Sequence, residues 1–157
     1  MGHEQRLSVH DIDPKATEAV LALERYVHAS GLDEHLYELV KIRASQLNGC
    51  AYCLDMHNRE ARAGGEDQRR LDVLSAWREA PDLFSPAERA ALAFTEAVTL
   101  IADDGVPEPV WTDVTRHFDE ACVVHLLMAV AAINVWNRLA VSTHQRLPNP
   151  PAAGSAG

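Results

Sequence analysis

Two thiols and an imidazole stand close together in this chain: Cys50-Ala51-Tyr52-Cys53 is followed by His57, and one further cysteine, Cys122, lies far along the sequence. At about 3.6 residues per turn, positions three and four apart share a face, so Cys50, Cys53 and His57 form one stripe if the segment is helical. Thiols in the first turn of a helix meet free backbone N–H groups and the positive end of the helix dipole, which favour thiolate over thiol. The implied chemistry is thiol redox: an oxidant converts one thiolate to a sulfenic acid and the neighbouring thiol closes a disulfide. Two effects compete for the choice of reacting sulfur. Cys50 lies nearer the helix start, whereas Cys53 has His57 at i+4 as a base. The histidine spacing favours Cys53 as the sulfur that meets the oxidant and Cys50 as its resolving partner.

Such a stripe needs a helix that begins at the cysteines. Ala51 to Ala63 has no internal Pro or Gly, Gly64-Gly65 suit a left-handed C-terminal cap, and Gly49 lets the backbone turn tightly into the helix. Helix signals dominate and no run alternates apolar and polar residues long enough for a strand, so the fold is predicted to be all-α, with roughly six to seven helices. Asp13 and Pro14 open a first helix that ends near Ser30-Gly31, with Val20, Leu21, Leu23 and Val27 as its apolar stripe. Asp33 caps a second, in which Leu36, Leu39, Val40, Arg43 and Leu47 keep a core-facing spacing up to Asn48-Gly49.

After the cysteine helix, a helix from about Asp67 to Trp77 is expected, and Pro81 interrupts the segment beyond it. Ser85-Pro86-Ala87-Glu88 signals the start of another, to about Ala102, and Pro107 opens a shorter one to about Phe118. Asp119 caps a long helix to about Arg146 that is apolar nearly all round, which places it in the core and in a subunit interface. Residues 1–147 are read as one domain, and the Pro, Ala, Gly and Ser tail 148–157 as disordered.

The net charge of -9, from 23 acidic and 14 basic residues, argues against nucleic-acid and anionic-membrane partners, both of which would be repelled. Met1 to Asp13 holds no apolar stretch of the secretory kind, and the apolar run Ala121 to Trp136, broken by His125 and Asn134, is shorter than the roughly 20 residues a bilayer span needs. A soluble, cytoplasmic protein is therefore expected, in a reducing compartment where a Cys-x-x-Cys pair is catalytic or metal-binding more often than structural.

The pattern Glu38, Cys50-x-x-Cys53, His57 resembles the signature of the AhpD-like alkylhydroperoxidases, within the wider carboxymuconolactone decarboxylase superfamily. The surrounding residues agree: Leu39-Val40-Lys41-Ile42-Arg43-Ala44-Ser45-Gln46-Leu47-Asn48-Gly49, Phe84-Ser85-Pro86-Ala87-Glu88-Arg89, and Ile133-Asn134-Val135-Trp136-Asn137-Arg138, so the likeness spans roughly residues 15 to 146. The resemblance implies an all-α homotrimer or homohexamer that reduces hydroperoxides through its cysteine pair without a bound cofactor and is recharged by a dithiol, typically on a lipoyl-bearing protein. It implies a proton relay in which Glu38 orients His57, His57 deprotonates Cys53 and Cys50 resolves. Only the resemblance selects Glu38, whose own default, beside Lys41, is a solvated surface role. Tyr52 stands where some members of the family carry a second histidine.

Other readings are weaker. Glu38, Cys50, Cys53 and His57 supply four potential zinc ligands, but no second Cys or His pair stands at finger spacing. Lactone decarboxylation occurs elsewhere in the superfamily, in members that lack the paired cysteines, and a non-enzymatic metal-binding or oligomeric module is the remaining alternative. Cys122 is expected in the core, His125 to pack locally, the remaining histidines to lie at termini, surfaces and helix ends, and Trp77, Trp111 and Trp136 to anchor core or interface.

Overall fold

Caps and left-handed turns set the element boundaries in this computed structural model, which describes residues 4–148. Nine α-helices occur among the described residues, with no strand, as expected for an all-α fold. They are α1 (Val9–Ile12), α2 (Pro14–Ala29), α3 (Glu34–Asn48), α4 (Ala51–Ala63), α5 (Gln68–Val73), α6 (Pro86–Thr99), α7 (Ile101–Asp104), α8 (Glu108–His117) and α9 (Glu120–Thr143), with 3-10 turns at Leu74–Glu79 and Pro81–Leu83. The carboxylates of Asp13, Asp33, Asp67 and Asp119 and the hydroxyl of Ser85 accept from first-turn N–H groups, and Glu88 reaches back to complete the box at Ser85.

α3 is the hub: it packs against α4, α6 and α9, while α9 also meets α2, α4, α6 and α8. One part of the core joins Val27, Tyr37, Val40, Phe94, Val114, Leu126 and Val130 across five helices; another joins Leu39, Ile42, Leu74, Trp77, Phe84 and Leu92. Trp77 fills the second and donates its Nε1–H to Glu96 at 2.8 Å, a carboxylate that Arg43 and Arg78 also hold.

The structure corrects the sequence reading in several places. The helix expected from Asp67 to Trp77 ends at Val73 and tightens into 3-10 turns that break at Ala76, so that Leu74 and Trp77 are both buried. The helix from Ser85 stops at Thr99, because Leu100 leaves the helical region and starts the short α7. The last helix ends at Thr143, where His144 adopts a left-handed conformation, and not at Arg146. Of the first helix's stripe only Val20 and Val27 are buried; Leu21 is exposed. Trp111 lies outside the core, 44% exposed with its ring tilted against Phe94. α9 has 24 residues, long and apolar enough to cross a bilayer by length and composition, yet it carries the fully buried Asn137 and packs against five other helices. The tail expected to be disordered lies, beyond Pro148, outside the described residues.

Candidate redox site

A single glycine positions the cysteines. Gly49, with φ 64°, ends α3 in the left-handed conformation that glycine adopts without strain, and its N–H and that of Cys50 close back on Gln46 O and Ser45 O at 3.3 and 3.0 Å. The turn delivers Cys50 as the N-cap of α4, with its Sγ accepting from the Cys53 N–H at 3.3 Å. Cys50 and Cys53 are joined as a disulfide, Cα to Cα 5.4 Å, so the structure is the oxidised state. At the other end of α4, Gly65 rather than Gly64 takes the left-handed turn, with φ 91°.

Both cysteines are almost fully buried, against Ala44 of α3 and Ile133 and Ala140 of α9, with Tyr52 and Trp136 packed alongside. Polar bonds hold this three-helix junction. The Asn137 amide donates to Ser45 Oγ at 3.0 Å, Ser45 Oγ donates to Lys41 O at 2.7 Å, and the Asn48 amide donates to Asn137 Oδ1 and Asn134 Oδ1 at 2.9 and 3.0 Å. These residues lie in the stretches that carried the family resemblance, though nothing in their types or spacing marked them as scaffolding.

His57 faces two carboxylates. Its Nδ1 is 3.1 Å from Glu60 Oε2 and 3.5 Å from Glu38 Oε2, while Glu38 Oε1 is 2.7 Å from Lys41 Nζ. With acceptors at Nδ1, that nitrogen holds the proton and Nε2 is left as the basic atom. Nε2 is buried and makes no hydrogen bond among the described residues. Burial alone would raise the Glu38 carboxyl, but the neighbouring His57 ring and the Lys41 ammonium outweigh it and hold the group below its ordinary value. The solvated Glu38–Lys41 pair read from sequence is thus a buried ion pair, with Lys41 2% exposed and its ammonium 4.1 Å from the Tyr37 ring centroid. Tyr37 donates to Glu24 Oε2 at 2.5 Å, and burial, followed by that carboxylate, pushes its phenol well above the ordinary range.

A cavity of about 640 Å³ is lined by Cys53 and His57, by the charged Glu38, Lys41 and Glu60, and by the apolar Leu21, Met56 and Trp136. A second, of about 600 Å³, opens on Cys50, between the start of α4 and the segment after α9. Glu60 was missed in the sequence. Its signal was its i+3 spacing from His57, which many surface glutamates share with a neighbouring residue. His28 and His144, expected only at surfaces and helix ends, line the first and second cavities respectively.

The zinc set read from sequence is not assembled, since the two sulfurs are bonded to each other. The ligating atoms that do converge, within 4.8 Å, belong to Glu38, His57 and Glu60. The Lys41 ammonium already supplies the cation beside Glu38, which disfavours a metal there. Cys122, expected in the core, is half-buried near the start of α9, where Asp119 pushes its thiol up.

With this geometry in place, similarity to known proteins decides the family. The carboxymuconolactone decarboxylase family model matches residues 14–97, more than half of the chain and including all of Glu38, Cys50, Cys53 and His57. The chain belongs to the carboxymuconolactone decarboxylase family. Within it the chain is AhpD-like. It is 39% identical, with a TM-score of 0.90, to a crystal structure of a protein of unknown function from Agrobacterium tumefaciens suggested to be an AhpD antioxidant defence protein, covering 94% of this chain and 100% of that one. The uncharacterized YdfG of Bacillus subtilis (strain 168) is 40% identical over 142 residues, 90% of this chain and 96% of its own length. The apo debrominase Bmp8 superposes with a TM-score of 0.79 at 18% identity, over 88% of this chain and 74% of that one, which shows a shared fold.

Proposed function

We propose that the protein is a thiol-dependent hydroperoxide reductase whose Cys53 thiolate meets the oxidant. The observation that carries the reading is the placement of Cys53 and His57 on one cavity, with two carboxylates on His57 Nδ1 and none of the described groups on Nε2. In the reduced protein His57 Nε2 takes the Cys53 proton, and Glu38 stabilises the imidazolium that results. The thiolate attacks the outer peroxide oxygen; the O–O bond breaks, Cys53 becomes the sulfenic acid, and the alkoxide takes the proton from His57 to leave as alcohol. Cys50, already within bonding reach, attacks the sulfenate sulfur and releases water, giving the disulfide seen in the structure.

Leu21, Met56 and Trp136 suit an alkyl chain, while the charged groups at the cavity are of both signs, Glu24, Glu38 and Glu60 with Arg25 and Lys41. An alkyl hydroperoxide is therefore the substrate class. Recharging needs an external dithiol. α9 exposes Val124, Leu127, Val135 and Val141, apolar surface that a homo-oligomer would cover, and sedimentation at micromolar concentration tests that part of the reading.

Stopped-flow oxidation of the reduced protein by tert-butyl hydroperoxide tests the activity. Loss of two thiols per chain in the wild type and none in Cys53→Ser is the expected result. Thiols that survive peroxide but exchange with a dithiol–disulfide couple would make the protein a disulfide reductase instead.

A further inference from the structure

Reduction of the disulfide frees two sulfurs beside a buried nitrogen that is furnished like a metal ligand. Cys50 and Cys53 are almost fully buried, and His57 Nε2 is buried with no hydrogen bond among the described residues. We propose that the reduced protein holds one thiophilic divalent cation of the zinc type on Cys50 Sγ, Cys53 Sγ and His57 Nε2, with the fourth position open to the Cys53 cavity. Glu38, which the sequence offered as a fourth ligand, stands behind the histidine instead. The inference rests on the peroxidase reading only in that the cation masks the sulfur to which that reading assigns the oxidant.

Three observations point this way. The first is the direction of the imidazole. Side chains on a helix lean back toward its N-terminus, so His57 lies over the turn that carries Cys53, four residues earlier on α4. Nδ1 faces Glu60, three residues further along the helix, at 3.1 Å, so the ring edge that bears Nε2 is the one turned away from it, and His57 and Cys53 line one cavity.

The second is what stands behind the ring. A metal-bound histidine gives its other N–H to a carboxylate, which fixes the neutral tautomer and strengthens the ligand. Glu60 and Glu38 both face Nδ1, at 3.1 and 3.5 Å. The Lys41 ammonium, which disfavours a cation among these carboxylates, sits on Glu38 Oε1 at 2.7 Å, on the Nδ1 side of the ring.

The third is the thiol pair. Two cysteines separated by two residues have the chelating spacing of zinc sites, and a Cα separation of 5.4 Å lets both sulfurs reach one cation. Cys50 Sγ already accepts the Cys53 N–H at 3.3 Å, a bond that favours thiolate. Two thiolates and a neutral imidazole around a divalent cation sum to zero charge, which suits burial, and soft sulfur donors select zinc over magnesium or calcium. Binding releases the two thiol protons and changes no oxidation state. The disulfide form offers neither sulfur as a thiolate ligand.

Cobalt(II) is the probe, because it substitutes for zinc in thiolate sites and reports its ligands in its absorption spectrum. Untagged reduced protein, titrated anaerobically with cobalt chloride, should take up one equivalent, with a thiolate-to-cobalt charge-transfer band and tetrahedral visible bands that one equivalent of zinc abolishes. Protein oxidised with diamide should show neither, a comparison that needs no variant able to misfold. His57→Gln and Cys50→Ser should each weaken binding by about 100-fold or more and Glu60→Gln by about tenfold, since even the outer partners of a ligand histidine are worth about 10–100-fold in affinity. Cys122→Ser should change nothing. Absence of the bands in the reduced wild type, or undiminished affinity in His57→Gln, overturns the proposal. So does binding to the oxidised protein without a charge-transfer band, which would place the cation on Glu38, His57 and Glu60. One equivalent of zinc should also protect both thiols from tert-butyl hydroperoxide, and thiol loss at the metal-free rate with zinc bound overturns the proposal as well. If metal-free thiols ignore peroxide while the cobalt spectrum appears, the peroxidase reading falls and the metal site stands.

Discussion

Cys53 and Cys122 both lie in the first turn of a helix with a histidine three or four residues further on, yet the two ends are furnished in opposite ways. At α4 the N-cap is itself a cysteine, whose sulfur accepts the Cys53 N–H, and His57 turns Nδ1 to Glu38 and Glu60 while Nε2 makes no hydrogen bond among the described residues. At α9 the N-cap is Asp119, whose carboxylate takes the Cys122 N–H at 2.8 Å and pushes the Cys122 thiol up. His125 there sets its ring edge-on to Tyr26. On the proposed reading, a helix start and a nearby imidazole are therefore not enough to activate a cysteine. The two helix starts differ in the group that fills the cap, Cys50 at α4 and Asp119 at α9.

The contrast can be broken most severely at the sulfurs. Cys53→Ser should reduce peroxide consumption to background, while Cys122→Ser should leave it unchanged, both read by stopped-flow thiol loss. Removing the base comes next: His57→Gln should slow oxidation by about 10²–10⁴-fold at neutral pH, the usual worth of a positioned base. That deficit should shrink as pH rises toward an ordinary thiol value of about 8.5, where the thiolate forms unaided.

Glu38→Gln strikes the support of the histidine. It strands the buried Lys41 ammonium, and breaking such a pair costs about 3–5 kcal/mol in denaturant unfolding. Because the Glu38 carboxyl is held below its ordinary value near 4.5, its stabilisation is complete above that pH and is lost as pH falls through the lowered value. The wild type should therefore lose stability on that acid limb, and the variant should lack this contribution. Glu60→Gln removes the closer but half-exposed carboxylate, 52% exposed, and should slow oxidation only severalfold with little change in melting temperature. The smallest effect is expected from Asp119→Asn, which keeps a cap for α9 while removing the charge; alkylation of Cys122 by iodoacetamide should quicken modestly.

Much of the fold was legible because its stops and starts are chemical. Asp13, Asp33, Ser85 and Asp119 cap where their types predict, since a short polar side chain has a first-turn N–H within reach. The failures fell where tertiary packing overrode a continuous apolar pattern, as at Leu74 to Trp77, where a tighter turn buries both side chains, and at Leu100. In the site, the Cys50, Cys53 and His57 stripe was readable from spacing alone, because all three lie on one helix and its cap. Glu38 was not, because its partners are brought to it from α4 and its neighbour Lys41 is buried only by the packing of α3 against its neighbouring helices. The cavity that gives Cys50 a face of its own is built by chain far from it, after residue 143, and no local pattern announces it.

The most direct test of the central claim is to trap the sulfenic acid. Reduced Cys50→Ser and Cys53→Ser proteins, both retaining Cys122, are treated with one equivalent of tert-butyl hydroperoxide in the presence of dimedone and mapped by mass spectrometry. The predicted result is a dimedone adduct on Cys53 in the Cys50→Ser protein, with none on Cys122 in either. An adduct on Cys50 in the Cys53→Ser protein at a comparable rate would contradict the assignment of Cys53 and His57 as the reacting pair.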